Sequence, residues 1–379
     1  MKRISVIDGL RGLALLGILL INITFFNQSL QSISLGGLPV EGTMNHIVDM
    51  LNSLFMDTPS MLLYSFLFGY GAILLFNKTI AAERRFAPLF LKRMLVLLIF
   101  GIIHGTLIWY GDILTTYAIT GLLLLLFIRR SPKTILIWSI ICTLCIPLLM
   151  LTSQGSGGGG MDMTYSAYDI PSLITQYQEK DMLIYGNGTF MQILVQRIND
   201  YISGCLNMLL FIPQVLGAFL LGAYCAKKNL LSDIKENKNK LIQLGLICGT
   251  IGIVLQIPKL LGSSSDTWEI IGMFIASPLL MLSYVALFSL LFLKFGKALS
   301  IFCNPGRIGL SMYILQSVLC GLIFYSYGLG LFGKMELWQT ELVAILIFTV
   351  QIVLSSLYLR RFKTGPIEYV WRLCYRGKS

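Results

Sequence analysis

"FGIIHGTLIWYGDILTTYAITGLLLLLF", residues 100–127, is an almost unbroken apolar run that carries one of the chain's two histidines, His104, and, at 111–112, a Gly-Asp pair. It reads as the end of one membrane helix, a tight turn at Gly111, and the start of another. Apolar stretches of the roughly 17–25 residues that span a bilayer lie at 10–28, 59–76, 94–110, 113–128, 134–152, 204–226, 241–261, 270–293, 308–332 and 342–359. The expected fold class is therefore all-α: a single polytopic domain over 1–379 with about ten transmembrane helices. Composition agrees, since 56% of the 379 residues are hydrophobic and only 12% are charged, with a mean hydropathy of +0.77. These values lie far from those of a water-soluble globule.

The positive charges set the expected orientation, because cytoplasmic loops accumulate Lys and Arg. With the N-terminus inside, 25 of the 29 Lys and Arg residues fall on the inner side, and only Lys180, Arg197, Lys259 and Lys334 fall outside. Both termini are expected in the cytoplasm, with the chain in the cell membrane. The first span follows "MKRISVIDGLRG" without a small-residue cleavage site, so a cleaved signal peptide is not expected. The net charge of +11 is then a topology signal and an attraction to anionic headgroups. The basic residues are scattered over separate inner segments with no zinc-finger or aromatic-platform pattern, so nucleic acid is not an expected partner. The eight cysteines lie in or beside apolar helices, which excludes a secreted disulfide framework. "CTLC" at 142–145 has CxxC spacing but reads as two small buried hydrophobes.

One outer segment is long, about 153–203, and it opens on "SQGSGGGG", a flexible hinge. Its remainder is acidic and tyrosine-rich, and reads either as a lid over an outer mouth or as a connector. The inner loop "KKNLLSDIKENKNK", 227–240, is a solvated turn.

Counted at about 1.5 Å per residue from the inner end of its span, His104 comes about 15 Å up, near mid-membrane. Asn22, Gln214, Gln316 and Gln351 fall at similar depth on four other helices. Polar groups in hydrocarbon face a bundle interior or a wet cavity. Interhelical hydrogen bonding accounts for each amide. The imidazole can also exchange a proton near neutrality. Asp112 follows eight residues later. On a continuous helix the two would stand about 12 Å apart, so contact requires the turn at Gly111 to fold the carboxylate back, or a water to bridge. Asp112 also suits the N-cap of the next helix. His46, in the outer "EGTMNHIVDM" segment, lines the same cavity from above or sits in a wet loop. Asp8 and Arg11 are three apart on one helical face at the inner boundary. "NPGRIGLSMY", 304–313, sets Arg307 at a helix start, an arrangement that suits an anion or a membrane anchor. No Walker loop, GxSxG or HExxH occurs, and two distant histidines make a catalytic metal unexpected.

The stretches "DGLRGLALLGILLIN" (8–22), "YSFLFGYGAIL" (64–74), "FGIIHGTLIWYGDILTTYAITGLL" (100–123), "GRIGLSMYILQSVLCGLIFYSYGLGLFG" (306–333) and "GPIEYVWRLCYRGK" (365–378) together resemble the YeiB-like bacterial membrane proteins, a family of unassigned function. More distantly, the opening resembles transmembrane acyltransferases such as heparan-alpha-glucosaminide N-acetyltransferase. The bacterial O-acyltransferases among them place a histidine in the first span where this chain has Asn22, counted from Arg11. The heparan enzyme's outer histidine and following aspartate resemble His46 and Asp57 in placement. The resemblance implies His46 as a rival to His104.

These readings combine into one expectation. The protein moves an acyl group, acetyl foremost, from cytoplasmic acyl-CoA to a hydroxyl or amine reached from outside. Arg11 and Arg307, with Asp8 and Gln316, hold the donor, while His104 with Asp112, Asn22 and the rival His46 form the catalytic set. The expected partners are the bilayer, the acyl-CoA donor, the acceptor and a second copy of the chain. A small-molecule transporter is the alternative, since it too needs a midplane polar layer.

Overall fold

A computed structural model describes residues 4–155, 169–261 and 265–376, and among these every regular element is helical. Each of the ten apolar segments overlaps a helix, although the helix in the expected 308–332 segment ends at Phe324 and residues 325–332 are turns and irregular backbone. In chain order the helices are α1 (Ser5–Asn27), α2 (Asp57–Ala81), α3 (Phe86–Ile103), α4 (Leu114–Leu124), α5 (Pro132–Gly155), α6 (Phe190–Lys227), α7 (Lys238–Leu260), α8 (Ser277–Leu299), α9 (Gly309–Phe324) and α10 (Leu337–Arg361). An amphipathic α11 (Pro366–Arg376) follows. Eight stretches among the described residues are long and apolar enough to cross a bilayer, while α4 and α9 are shorter apolar helices.

The bundle has a clear inside. In the apolar window of α1, 67% of residues are buried, against 17% in that of α5. α1 is thus a central element, whereas α5 turns Leu148 and Leu149 outward, where lipid tails would receive them. α2 packs along α1 and α6, α6 against α5, and α7 against α8.

The stretch around His104 departs from a straight helix. α3 begins at Phe86, eight residues before the expected 94. His104 is therefore about 27 Å along it, in its last turn rather than midway. The wider π-helical turn His104–Ile108 follows, and Trp109 leaves it in extended conformation. Two glycines allow close approach here. A Cβ on Gly101 would stand 2.5 Å from the Thr115 amide nitrogen and 2.8 Å from Asp112 Oδ2. One on Gly105 would stand 2.2 Å from the Tyr201 ring. Only hydrogen at these positions lets the 109–113 turn and α6 close on His104 from two sides.

The outer segment is helical where it is described, with a helix at Ile170–Asp181 and then α6, whose start carries a capping box between Thr189 and Gln192. The glycine-rich hinge, 156–160, lies outside the described residues, and so does the side chain of Asp57.

Candidate active site

The turn at 109–113 brings Asp112 directly onto His104, with Nδ1 3.0 Å from Oδ1. Both residues are buried, His104 at 1% and Asp112 at 0% exposure. The same carboxylate accepts the Leu114 amide at 3.1 Å and the Thr115 amide at 2.8 Å. It is thus the cap of α4 and the partner of the imidazole together, and no bridging water is needed. With two backbone amides donating to it, this carboxylate serves as the acceptor toward the imidazole as well. Nδ1 therefore carries the proton, and Nε2 is left with a lone pair. That lone pair faces the hydroxyl of Ser317 on α9, at 2.9 Å. Sequence reasoning singled out neighbouring Gln316 and missed Ser317.

Below this group lies a cavity of about 520 Å³, lined among others by Arg11, Lys78, Arg93, Arg307 and Arg372. The Arg93 guanidinium stacks 4.1 Å over Trp371 and 5.8 Å from Tyr375 of α11. Among the described residues Glu368 is the one carboxylate in the lining, and it is committed to α9. It accepts the Leu310 and Ser311 amides at 2.8 and 3.1 Å, and the Ser311 hydroxyl as well. The anion expected at the start of this helix is therefore the protein's own Glu368, and an incoming anion is left to the arginines. Leu114, Tyr117, Tyr64 and Gly309 form the inner wall, with the Tyr64 and Tyr117 rings stacked at 6.0 Å. Tyr313, one turn beyond Gly309, places its ring 5.0 Å from that of His104. Arginines with aromatic faces and an apolar floor suit a polyphosphate joined to a heteroaromatic base and a flexible apolar arm.

α6 packs over the group as well. The Tyr201 hydroxyl lies 2.9 Å from Thr115 Oγ1, and Arg197 donates to the Leu107 carbonyl. Arg197 and Asp200 are buried, each at 1% exposure. Asp200 accepts from Tyr185 at 2.6 Å and from Gln31 and Gln196 at 3.0 Å each. Nearby Asp181 is pushed up to about 6, chiefly by burial and a little by the charge of Asp200, against the lowering effects of Ser29 and Lys180.

The remaining expected residues sort by position. Arg11 and Arg307 do line one cavity, although 296 positions separate them in sequence. Arg11 pairs with Asp8 at 3.3 Å, and Arg307 donates to the Lys363 carbonyl. Asp8 lines an adjoining recess, which shares Arg307 with the cavity. Gln316 lies off the cavity, bonded to Gln351 at 2.9 Å, and Gln214 donates to the Met273 carbonyl. These amides are interhelical ties. Asn22 is half-buried on α1. Both ring nitrogens of His104 already have partners, and neither is Asn22 or His46. His46 is exposed on the helix Thr43–Leu51, which packs against α10. Among the described residues, no group of three or more His, Cys, Asp or Glu could hold a metal.

Residues 225–378 match a family model described as "Protein of unknown function (DUF418)". The chain is similar to the uncharacterized protein YxaH of Bacillus subtilis (strain 168), with 35% identity covering 98% of this chain and 94% of that protein. It is also similar to the uncharacterized protein YeiB of Escherichia coli (strain K12), with 27% identity covering 98% and 96%.

Proposed function

The chain belongs to the YeiB-like family of bacterial membrane proteins, a family of unknown function, and from its site we propose that it transfers an acyl group, acetyl foremost, from acyl-CoA to an acceptor arriving from the opposite side of the cell membrane. In this reading all ten apolar helices cross the bilayer, both termini are cytoplasmic, and the basic cavity opens inward. One observation carries the proposal. The cavity wall and the partners of His104 lie on the same two elements, because Leu114 on α4 lines the cavity two residues after Asp112, and Gly309 on α9 lines it two turns before Ser317. A donor whose phosphates sit among Arg11, Arg307, Arg372 and Lys78, with its base against Trp371 and Tyr375, directs its thioester arm along that wall toward His104. His104 acts as general base, oriented by Asp112, which also stabilises its protonated form.

Isothermal calorimetry with acetyl-CoA and the detergent-solubilised protein tests this. Binding is expected, with at least about tenfold loss in the Arg11→Ala/Arg307→Ala double variant, since one charge-assisted hydrogen bond is worth about 1.5–3 kcal/mol. Absence of binding at millimolar acetyl-CoA, or an unchanged affinity in the double variant, removes the proposal. The transport alternative draws on the turn at 109–113, a helix interruption of the kind that forms transporter binding sites. It makes no demand for acyl-CoA, so the same titration separates the two.

A further inference from the structure

Ser317 occupies the only nitrogen through which His104 can act. Nδ1 is held by Asp112 at 3.0 Å, and Nε2 faces the Ser317 hydroxyl at 2.9 Å. The other acceptor near that hydroxyl is the Tyr313 carbonyl at 3.4 Å, so the shorter and better donation runs to Nε2. An external acceptor would first have to displace the serine. The first group that this histidine can deprotonate is therefore Ser317, and a serine hydrogen-bonded to an oriented base is an activated nucleophile.

Ser317 is buried and does not itself line the cavity, but its place on α9 relates it to the cavity wall. Gly309, Tyr313 and Ser317 are spaced i, i+4, i+8 and share a helical face. Gly309 lines the cavity and Tyr313 sits beside His104, so Ser317 lies about 12 Å along the axis from the cavity wall. The Trp109 indole, 2% exposed and edge-on to the imidazole at 6.5 Å between ring centroids, has a buried N–H with no partner among the described residues. A spare buried donor beside the base is the kind of group that a developing oxyanion requires.

We propose that Ser317 is a covalent acyl carrier, an inference that rests on the acyl-transfer reading above. In the first half, Ser317 Oγ attacks the thioester carbonyl carbon and passes its proton to His104 Nε2. The C–S bond then breaks, the proton moves to the departing sulfur, and CoA leaves as the free thiol. In the second half, the acceptor hydroxyl or amine gives its proton to Nε2 as it attacks the serine ester. The C–Oγ bond breaks, and Oγ takes the proton back. Donor and acceptor then never need to occupy the site together, which suits a serine reached from the inner cavity and covered on the outer side by α6.

The test uses the full chain, with two probes and two variants. Protein treated with isotopically labelled acetyl-CoA is quenched in acid and mapped by peptide mass spectrometry, and a parallel sample receives a fluorophosphonate, which reports an activated serine without any acyl donor. The expected result is a hydroxylamine-labile acetyl group and a fluorophosphonate adduct, both on Ser317. Ser317→Ala loses both while still binding acetyl-CoA. Ser317→Cys, which keeps a nucleophile and controls for misfolding of the alanine variant, takes the acetyl group as a thioester. His104→Ala slows acetylation by about 10²-fold or more. If Ser317→Ala transfers acetyl at the native rate, or the label sits on His104, the carrier role is overturned while acyl transfer stands. If the native protein binds no acetyl-CoA, both fall. If it binds acetyl-CoA but neither probe marks Ser317, the carrier role alone falls.

Discussion

At Asp112 a single carboxylate caps α4 and mounts His104, and the glycine at 101 makes room for both tasks. A methyl group at that position would press on the Thr115 amide and on Asp112 Oδ2 together. Gly101→Ala is accordingly expected to loosen the cap and pull the carboxylate from the imidazole. Thermal unfolding should fall by an amount corresponding to about 1–3 kcal/mol, the usual cost of overpacking, with activity lost further than stability explains; a variant as stable and active as the native chain would refute the close-approach argument. His104 and Asp112 were legible in sequence because a histidine in an apolar run carries a cost that packing alone does not offset, and because Gly111 beside Asp112 announces a turn. Ser317 was not legible. A serine in an apolar helix reads the same whether it bonds its own helix or a base 213 positions away, and only the fold reveals which. The two arginines were visible as charges at helix starts, but their convergence on one cavity was not.

At the scale of elements, the two short apolar helices, α4 and α9, are the ones that build the site, and each begins on a carboxylate from outside the helix itself. The cap of α9 comes from α11, through Glu368. Glu368→Ala should therefore lower thermal stability by about 1–2 kcal/mol, the worth of a helix cap, and free α11 from the inner rim, detectable as faster proteolysis after Arg361; no change in either would assign the cap to solvent. The spans themselves were legible from apolar run length. The early start of α3 was not, since residues 86–93 mix Pro, Lys and Arg with apolar positions, and α11 settles the matter by stacking Trp371 and Tyr375 on Arg93. The outer helices were hidden for the same reason, being too polar to register as spans. Their buried acids make a pH prediction. Asp181 holds its proton up to about 6, above the ordinary 3.8, so the folded state binds more protons than the unfolded state between these values. Its contribution is fully present below about pH 4 and is lost as pH rises through 6. Protection factors over 170–181, taken relative to the intrinsic exchange rate at each pH, should be higher at pH 5 than at pH 7.5, and Asp181→Asn should flatten that difference; an unchanged profile would place the dependence elsewhere.

For the whole molecule, the proposed orientation rests on the 25 to 4 division of basic residues, which in that reading puts the basic cavity on the cytoplasmic side. A membrane-impermeant thiol reagent added to intact cells should label a cysteine introduced at exposed Glu179 and spare one at exposed Lys235; labelling in the opposite sense would invert the assignment of sides. In the proposed reading the donor enters among the arginines, and an acceptor from the opposite side requires α6 to give way. The measurement that bears most directly on this account is the rate at which CoA thiol is released from acetyl-CoA by the protein in native membrane vesicles, compared between the native chain, His104→Ala and His46→Ala. The account predicts release by the native chain, a fall of about 10²- to 10⁴-fold in His104→Ala with acetyl-CoA affinity preserved, and a native rate in His46→Ala. Release that persists without His104, or that vanishes only without His46, would contradict it.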